Sequence, residues 1–156
     1  MKGLEIRKKR FAELSLDELY GILRLRAEVF VVEQDCPYQD LDDNDQKALH
    51  IFSLMDGEIV ACLRVFLKDD GNATIGRVVT SMKVRGTGHG KQMVMEGIAS
   101  VRELFPDRVC VIHAQCYAIG FYEKCGFEVC SGEFLEDGIP HKEMSIQPIR
   151  SNDGEN

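Results

Sequence analysis

The sequence predicts a single-domain α/β (α+β) fold: a mixed, mostly antiparallel sheet with one central parallel strand pair, in the order β-α-βββ-α-β-α-ββ. Three observations predict it. The runs LHIFSLM and EIVACLRVFL flank the dipeptide Asp56-Gly57, a strong hairpin signal that sets two antiparallel strands side by side. The segment from His89 or Gly90 to about Leu104 carries Met93, Val94, Gly97, Ile98 and Val101 at helical spacing, and Pro106 bars its continuation. The apolar stretch RVCVIHAQ (108–115) follows that helix directly, so strand, helix and strand make one parallel crossover inside an antiparallel sheet.

The elements follow in chain order. An opening strand lies around LEIRKKRF. Ser15 and Glu18 have capping-box spacing, and Leu16, Leu19, Leu23, Ala27 and Phe30 fall on one face of a helix running through SLDELYGILRLRAEVFVVEQ. The polar stretch 33–48, with Pro37 and an acid cluster, reads as a loop or short broken helix. After the hairpin, a second turn at KDDGN leads into ATIGRVVTSMKV, so three strands form a meander up to a glycine cluster. Beyond RVCVIHAQ, AIGFYEKC (118–125) is a short helix with Gly126 where a left-handed cap belongs. FEVCSGEFL and HKEMSIQPI, joined by a turn at EDGIP, close the fold as two antiparallel strands. The domain spans 1–150, and the polar tail SNDGEN (151–156) should fray.

Composition narrows the function. At 156 residues the chain can bury one core without disulfides or structural metal. Six cysteines contain no C-x-x-C pair and sit among apolar neighbours, so they read as reduced, mostly buried thiols. No spacing with His50, His89, His113 or His141 resembles a zinc site, and no metal is expected. No apolar run is long enough for a membrane span and no signal peptide opens the chain, which suits a cytoplasmic protein. With 26 acidic against 19 basic residues the net charge is −7, which disfavours nucleic acid as a partner. The acidic stretches QDLDDND (39–45) and EFLEDG (133–138) would suit a cationic acceptor. A β-rich edge is compatible with a homodimer.

The chemistry concentrates in RGTGHGK (85–91), where glycines alternate between a β-branched run and an amphipathic helix. Backbone amides freed by Gly86, Gly88 and Gly90 can converge on a phosphate at the helix N-terminus, which carries roughly +0.5 charge. Arg85 and Lys91 add full positive charges. The loop is not a P-loop: position 85 holds Arg85 instead of glycine, and position 92 holds Gln92 instead of Ser or Thr. It is not a dinucleotide fingerprint either, because the third glycine would fall on Lys91.

The pattern Q/R-x-x-G-x-G/A fits as Arg85, Gly88 and Gly90, and it resembles the acyl-CoA pyrophosphate loop of the GCN5-related N-acetyltransferase (GNAT) family. The segment QCYAIGFYEKCGF resembles a second motif of that family, with Ala118, Tyr122, Glu123, Lys124, Gly126 and Phe127 matching and Gln115 where asparagine is usual. The runs VFVVEQDCPYQDLDD and FLEDGIPHKEM look like its bacterial ElaA-type branch. The resemblance covers essentially the whole chain. It implies acetyl-CoA as cosubstrate, bound by Val78, Val79 and Thr80, by the loop Arg85, Gly86, Thr87, Gly88, His89, Gly90 and Lys91, and by Gln115.

The reaction implied is acetyl transfer to a primary amine of a small molecule or peptide by direct attack in a ternary complex. An amine with a pKa near 10.4 costs about 4 to 5 kcal/mol to deprotonate at neutral pH, so deprotonation and positioning are the main tasks. The resemblance makes Tyr122 the acid that protonates the departing thiolate, with Tyr117 in reserve. Glu33, at the end of the first helix, and His113, at the end of the fifth strand, are the candidate bases, ahead of His141 and His50. Arg64, a charge inside an apolar strand, must find an anion, from substrate or from within the protein. Cys116 lies near the site but reads as a packed thiol. The competing function is a non-catalytic acyl-CoA-binding sensor of the same fold, in which a phenol at position 122 has no task.

Overall fold

The computed structural model describes residues 3–149, so the predicted tail lies outside the described residues. One sheet runs in the order β1-β2-β3-β4-β5-β8-β6, with β7 paired to β8. The strands are β1 Leu4–Arg10, β2 Leu49–Met55, β3 Glu58–Leu67, β4 Ala73–Thr80, β5 Cys110–Gln115, β6 Glu128–Val129, β7 Phe134–Glu136 and β8 Ile139–Ile146. The helices are α1 Leu16–Arg26, α2 His89–Leu104 and α3 Ile119–Lys124. The β2–β3–β4 meander and the parallel β4–β5 pair match the sequence reading. Asp56 and Gly57 both have positive φ, 52° and 81°, and Met55 faces Glu58, as a two-residue hairpin requires. One strand read from FEVCSGEFL is two: residues 130–133 separate β6 from β7, and each pairs separately with β8.

Two cores flank the sheet. On one face Met93, Val94, Ile98 and Val101 of α2 pack on Leu63, Ile75 and Ile112. On the other, Ile22, Leu25 and Val29 cover Phe52, Ile59 and Cys62. The first helix is therefore rotated from the predicted face: Leu16 is exposed, while Glu18 and Arg26 are buried. The apolar count missed this because two buried positions carry charge. The helix also widens after Arg26 into a π-helical stretch, Ala27–Glu33, with Gln34 N–H reaching Val29 O at 3.2 Å.

The capping box forms, Ser15 Oγ accepting from Glu18 N at 3.0 Å and Glu18 Oε1 from Ser15 N at 2.8 Å. Glu18 also accepts from Lys9 and Arg7, each at 3.0 Å, and so ties α1 to β1. Burial opposes its ionisation, but the Ser15 amide and the two cations outweigh it and lower the carboxyl from 4.5 to about 2. Because the folded value lies below the unfolded one, this contribution is complete above pH 4.5 and drains away as pH falls toward 2. Glu18→Gln should flatten that part of the acid-denaturation profile, read from urea midpoints at about pH 6 and about pH 3.

Candidate active site

β4 and β5 pair at one register position, Ala73 with Cys110. Thr74 Oγ1 still reaches Val111 O at 2.7 Å, but beyond it the strands part. A bulge in β4 sharpens the opening: the register passes from Cys62–Val79 to Arg64–Gly76, and Arg77 takes a left-handed φ of 50°. The result is a cleft of about 500 Å³ lined by Val78, Val79, Thr80, Glu33, His113, Gln115 and Tyr122. Ser81 N bonds Val60 O at 2.7 Å, so by strand alternation the backbone of Thr80 faces the cleft, where its carbonyl accepts from Arg85 Nε at 3.0 Å.

The glycine loop opens α2 from below this cleft. Gly86 and Gly88 have φ of 76° and 84°, and a Cβ at either would meet no heavy atom within 4 Å. Gly88 is the N-cap of α2 and has no side chain to cover the first-turn amides; His89 N reaches Thr87 Oγ1 at 3.4 Å, and Gln92 N is the first to bond a backbone carbonyl, Gly88 O at 3.2 Å. Thr87 Oγ1 donates to Val84 O and pins the loop from inside. Lys91 is exposed and, among the described residues, pairs with no carboxylate.

Two predicted loop residues behave differently from the reading. The His89 side chain is buried, with Nε2 2.7 Å from Ser53 Oγ, so only its backbone belongs to the loop. Arg85 is already engaged, its Nη2 donating to Glu33 Oε2 at 2.7 Å. That charge-assisted bond joins the end of the first helix to the glycine loop and occupies the carboxylate read as first candidate base.

Tyr122 packs edge-on against Phe121 and Phe127, at 5.1 and 6.0 Å between centroids, and its hydroxyl holds no hydrogen bond to the described residues. Burial pushes the phenol above its ordinary value, so it stays protonated. Tyr117 is exposed at the cleft mouth. Gln115 Nε2 donates to Gln34 Oε1 at 3.3 Å. His113 Nδ1 lies 2.8 Å from Glu136 Oε1, and His141 also lines the cleft, its Nδ1 donating to Ile139 O at 2.7 Å.

The remaining candidates are structural. His50 Nε2 bonds the Asp45 carbonyl at 2.8 Å in the interior. Burial raises the thiols of Cys62 and Cys110 to about 12, and burial together with Glu133 raises Cys116. Arg64 finds internal carboxylates: it grips Asp42 at 2.7 and 2.5 Å and Asp45 at 2.9 Å. Arg26 bonds Asp45 at 2.7 Å and Asp40 at 3.0 Å, and Arg77 donates to Asp40 O at 2.9 Å while stacking over Tyr38. Asp40, Asp42 and Asp45 of the stretch 39–45 are thus engaged by three arginines. Sequence reasoning missed Arg77, Tyr38 and Glu136; the available signal was the match of three charges on buried elements with three acids in one loop.

Among the described residues no helix is long and apolar enough to cross a membrane, and no three His, Cys, Asp or Glu side chains could hold a metal ion. Residues 13–148 match the family model described as the acetyltransferase (GNAT) domain. A UPF0039 protein of Schizosaccharomyces pombe is 38% identical over 149 residues, covering 94% of this chain and 99% of that protein. The crystal structure of Escherichia coli ElaA superposes with a TM-score of 0.86 at 36% identity, covering 91% of this chain and 98% of the other. An acyl-CoA N-acyltransferase from Pseudomonas aeruginosa gives the same score and coverage at 38% identity. With its parted central strands, its glycine-capped helix and these relatives, the chain belongs to the GNAT acetyltransferase family.

Proposed function

We propose that this protein transfers the acetyl group of acetyl-CoA to a primary amine of a small molecule or peptide. The observation that carries the reading is that one cleft gathers the parted backbone of β4, the protonated phenol of Tyr122 and the imidazole of His113. Amides of the glycine loop and the start of α2 receive the pyrophosphate, with Lys91 free to join them and Arg85 already held at the loop's edge. The pantetheine arm adds to the open edge of β4, where the Val78 amide, on the same side of the strand as the Thr80 backbone, faces the thioester oxygen as negative charge develops there.

The amine nitrogen attacks the carbonyl carbon, and the C–S bond breaks as the tetrahedral intermediate collapses. His113 takes the proton from nitrogen, and Tyr122 gives its proton to the thiolate. His113 is preferred to Glu33 because the Glu33 carboxylate is committed to Arg85; its task is to brace the loop.

Thiol release from acetyl-CoA, measured over arginine, lysine, polyamines, aminoglycosides and N-terminal peptides, tests the proposal. Turnover with at least one amine is expected. Binding of acetyl-CoA with no turnover for any amine would hand the site to the sensor reading. Tyr122→Phe should lower kcat about 10-fold and leave acetyl-CoA affinity unchanged, since the lost hydroxyl acts only as the thiolate leaves.

A further inference from the structure

We propose that Glu136 is a positioning residue that fixes the tautomer of His113 and aims its basic nitrogen; the inference rests on the N-acetyltransferase reading above. The hairpin that delivers Glu136 is rigid. Asp137 and Gly138 take φ of 51° and 76°, a two-residue turn whose twist suits the strands, and Glu136 sits opposite Ile139. β8 pairs in turn with β5, placing His113 opposite Glu143 and Gln115 opposite His141. The turn sequence thus hangs one carboxylate over the end of β5.

The geometry at the imidazole determines the proton's place. Glu136 Oε1 is 2.8 Å from His113 Nδ1, and an ionised carboxylate only accepts, so Nδ1 carries the proton. In the neutral ring Nε2 is then the acceptor. It lies 3.6 Å from Glu143 Oε1, outside hydrogen-bond distance, and stays free to take a proton. Phe134 meets the ring edge-on at 5.1 Å and limits its rotation. His141 does not compete for Glu136: its Nδ1 is spent on Ile139 O, and its Nε2 stays 3.6 Å from Glu136 Oε2.

His113 and Glu136 also line a second cavity of about 520 Å³, together with Thr74, Gly76 and Val111. The imidazole thus borders both the cleft assigned above to the thioester and this second cavity, which could take the acceptor. When Nε2 takes the amine proton, the positive ring is stabilised by the carboxylate already bonded to Nδ1. No proton passes to Glu136.

Nitrogen-15 spectra of histidine-labelled protein read the tautomer without any turnover, and kinetics read its use. In the wild type, neutral His113 should show a protonated Nδ1 and a bare Nε2. Glu136→Met should lose that preference and lower kcat about 30-fold with KM for acetyl-CoA unchanged, whereas Glu136→Gln, which still accepts from Nδ1, should recover most of both. Glu136 is half exposed, so neither change should move the melting temperature; if the Met variant unfolds, the Gln variant still has to show the retained tautomer. A wild-type His113 protonated on Nε2 overturns the proposal, as does a folded Met variant with wild-type kcat. Failure of every amine with the wild type, beside the expected spectra, overturns the functional reading instead.

Discussion

Gly88→Ala is expected to weaken acetyl-CoA binding about 100-fold, roughly 2.7 kcal/mol, while the protein stays folded. The left-handed φ of 84° at the N-cap of α2 is the reason the effect is local. An alanine held there costs about 1 to 2 kcal/mol, and its Cβ enters open space with no protein atom within 4 Å, so the core is untouched. On the function proposed above, a pyrophosphate approaches the backbone across that open space at the start of α2. A methyl group there either displaces the phosphate or relaxes to a negative φ and turns the amides of the loop apart. Calorimetry gives the affinity and a thermal melt gives the fold. A small melting shift beside a large loss of affinity is the expected pair of results. Unchanged affinity would mean that the loop is only a glycine-rich turn.

The fold was legible because its signals are local. Asp56-Gly57, the α2 periodicity and the strand directly after it depend on residues near one another in sequence, and each formed as read. The place of the glycine loop, directly before α2, was legible for the same reason. What could not be read is what depends on distant partners. Arg77 takes a bulge conformation that glycine usually marks, and it is held there through Asp40, Asp42 and Tyr38 from a loop more than thirty residues upstream. Glu33 looked like a free carboxylate because Arg85, fifty-two positions away, is brought to it only by the fold. Glu136 looked like one more acid in a turn until the β8 register carried it over His113.

Asp45→Asn is expected to destabilise the protein by about 3 to 5 kcal/mol. Asp45 lies between Arg26 and Arg64, and all three side chains are almost wholly buried. Three guanidiniums, of Arg26, Arg64 and Arg77, face three carboxylates, of Asp40, Asp42 and Asp45, so the cluster is neutral as built. Removing one negative charge leaves a net positive charge in the interior without water to solvate it. For a domain of this size that loss lowers the melting temperature by roughly 10 °C, and the denaturant midpoint should fall in step. Burial alone would raise the Asp45 carboxyl, but Arg26 and Arg64 outweigh it and hold it below the ordinary 3.8. Its folded value is the depressed one, so its contribution is complete above that pH and is lost as pH falls further, and the Asn variant should lose less stability on acidification there. Neutrality, more than any one bond, is what the cluster protects, and a second substitution separates the two. Arg26→Met added to Asp45→Asn leaves Arg64 with Asp42 and Arg77 with Asp40, two balanced pairs. The double variant should therefore be more stable than the sum of its single changes predicts, by about 1 to 3 kcal/mol. Strict additivity would show that the bonds act separately and that the uncompensated charge is not the source of the loss.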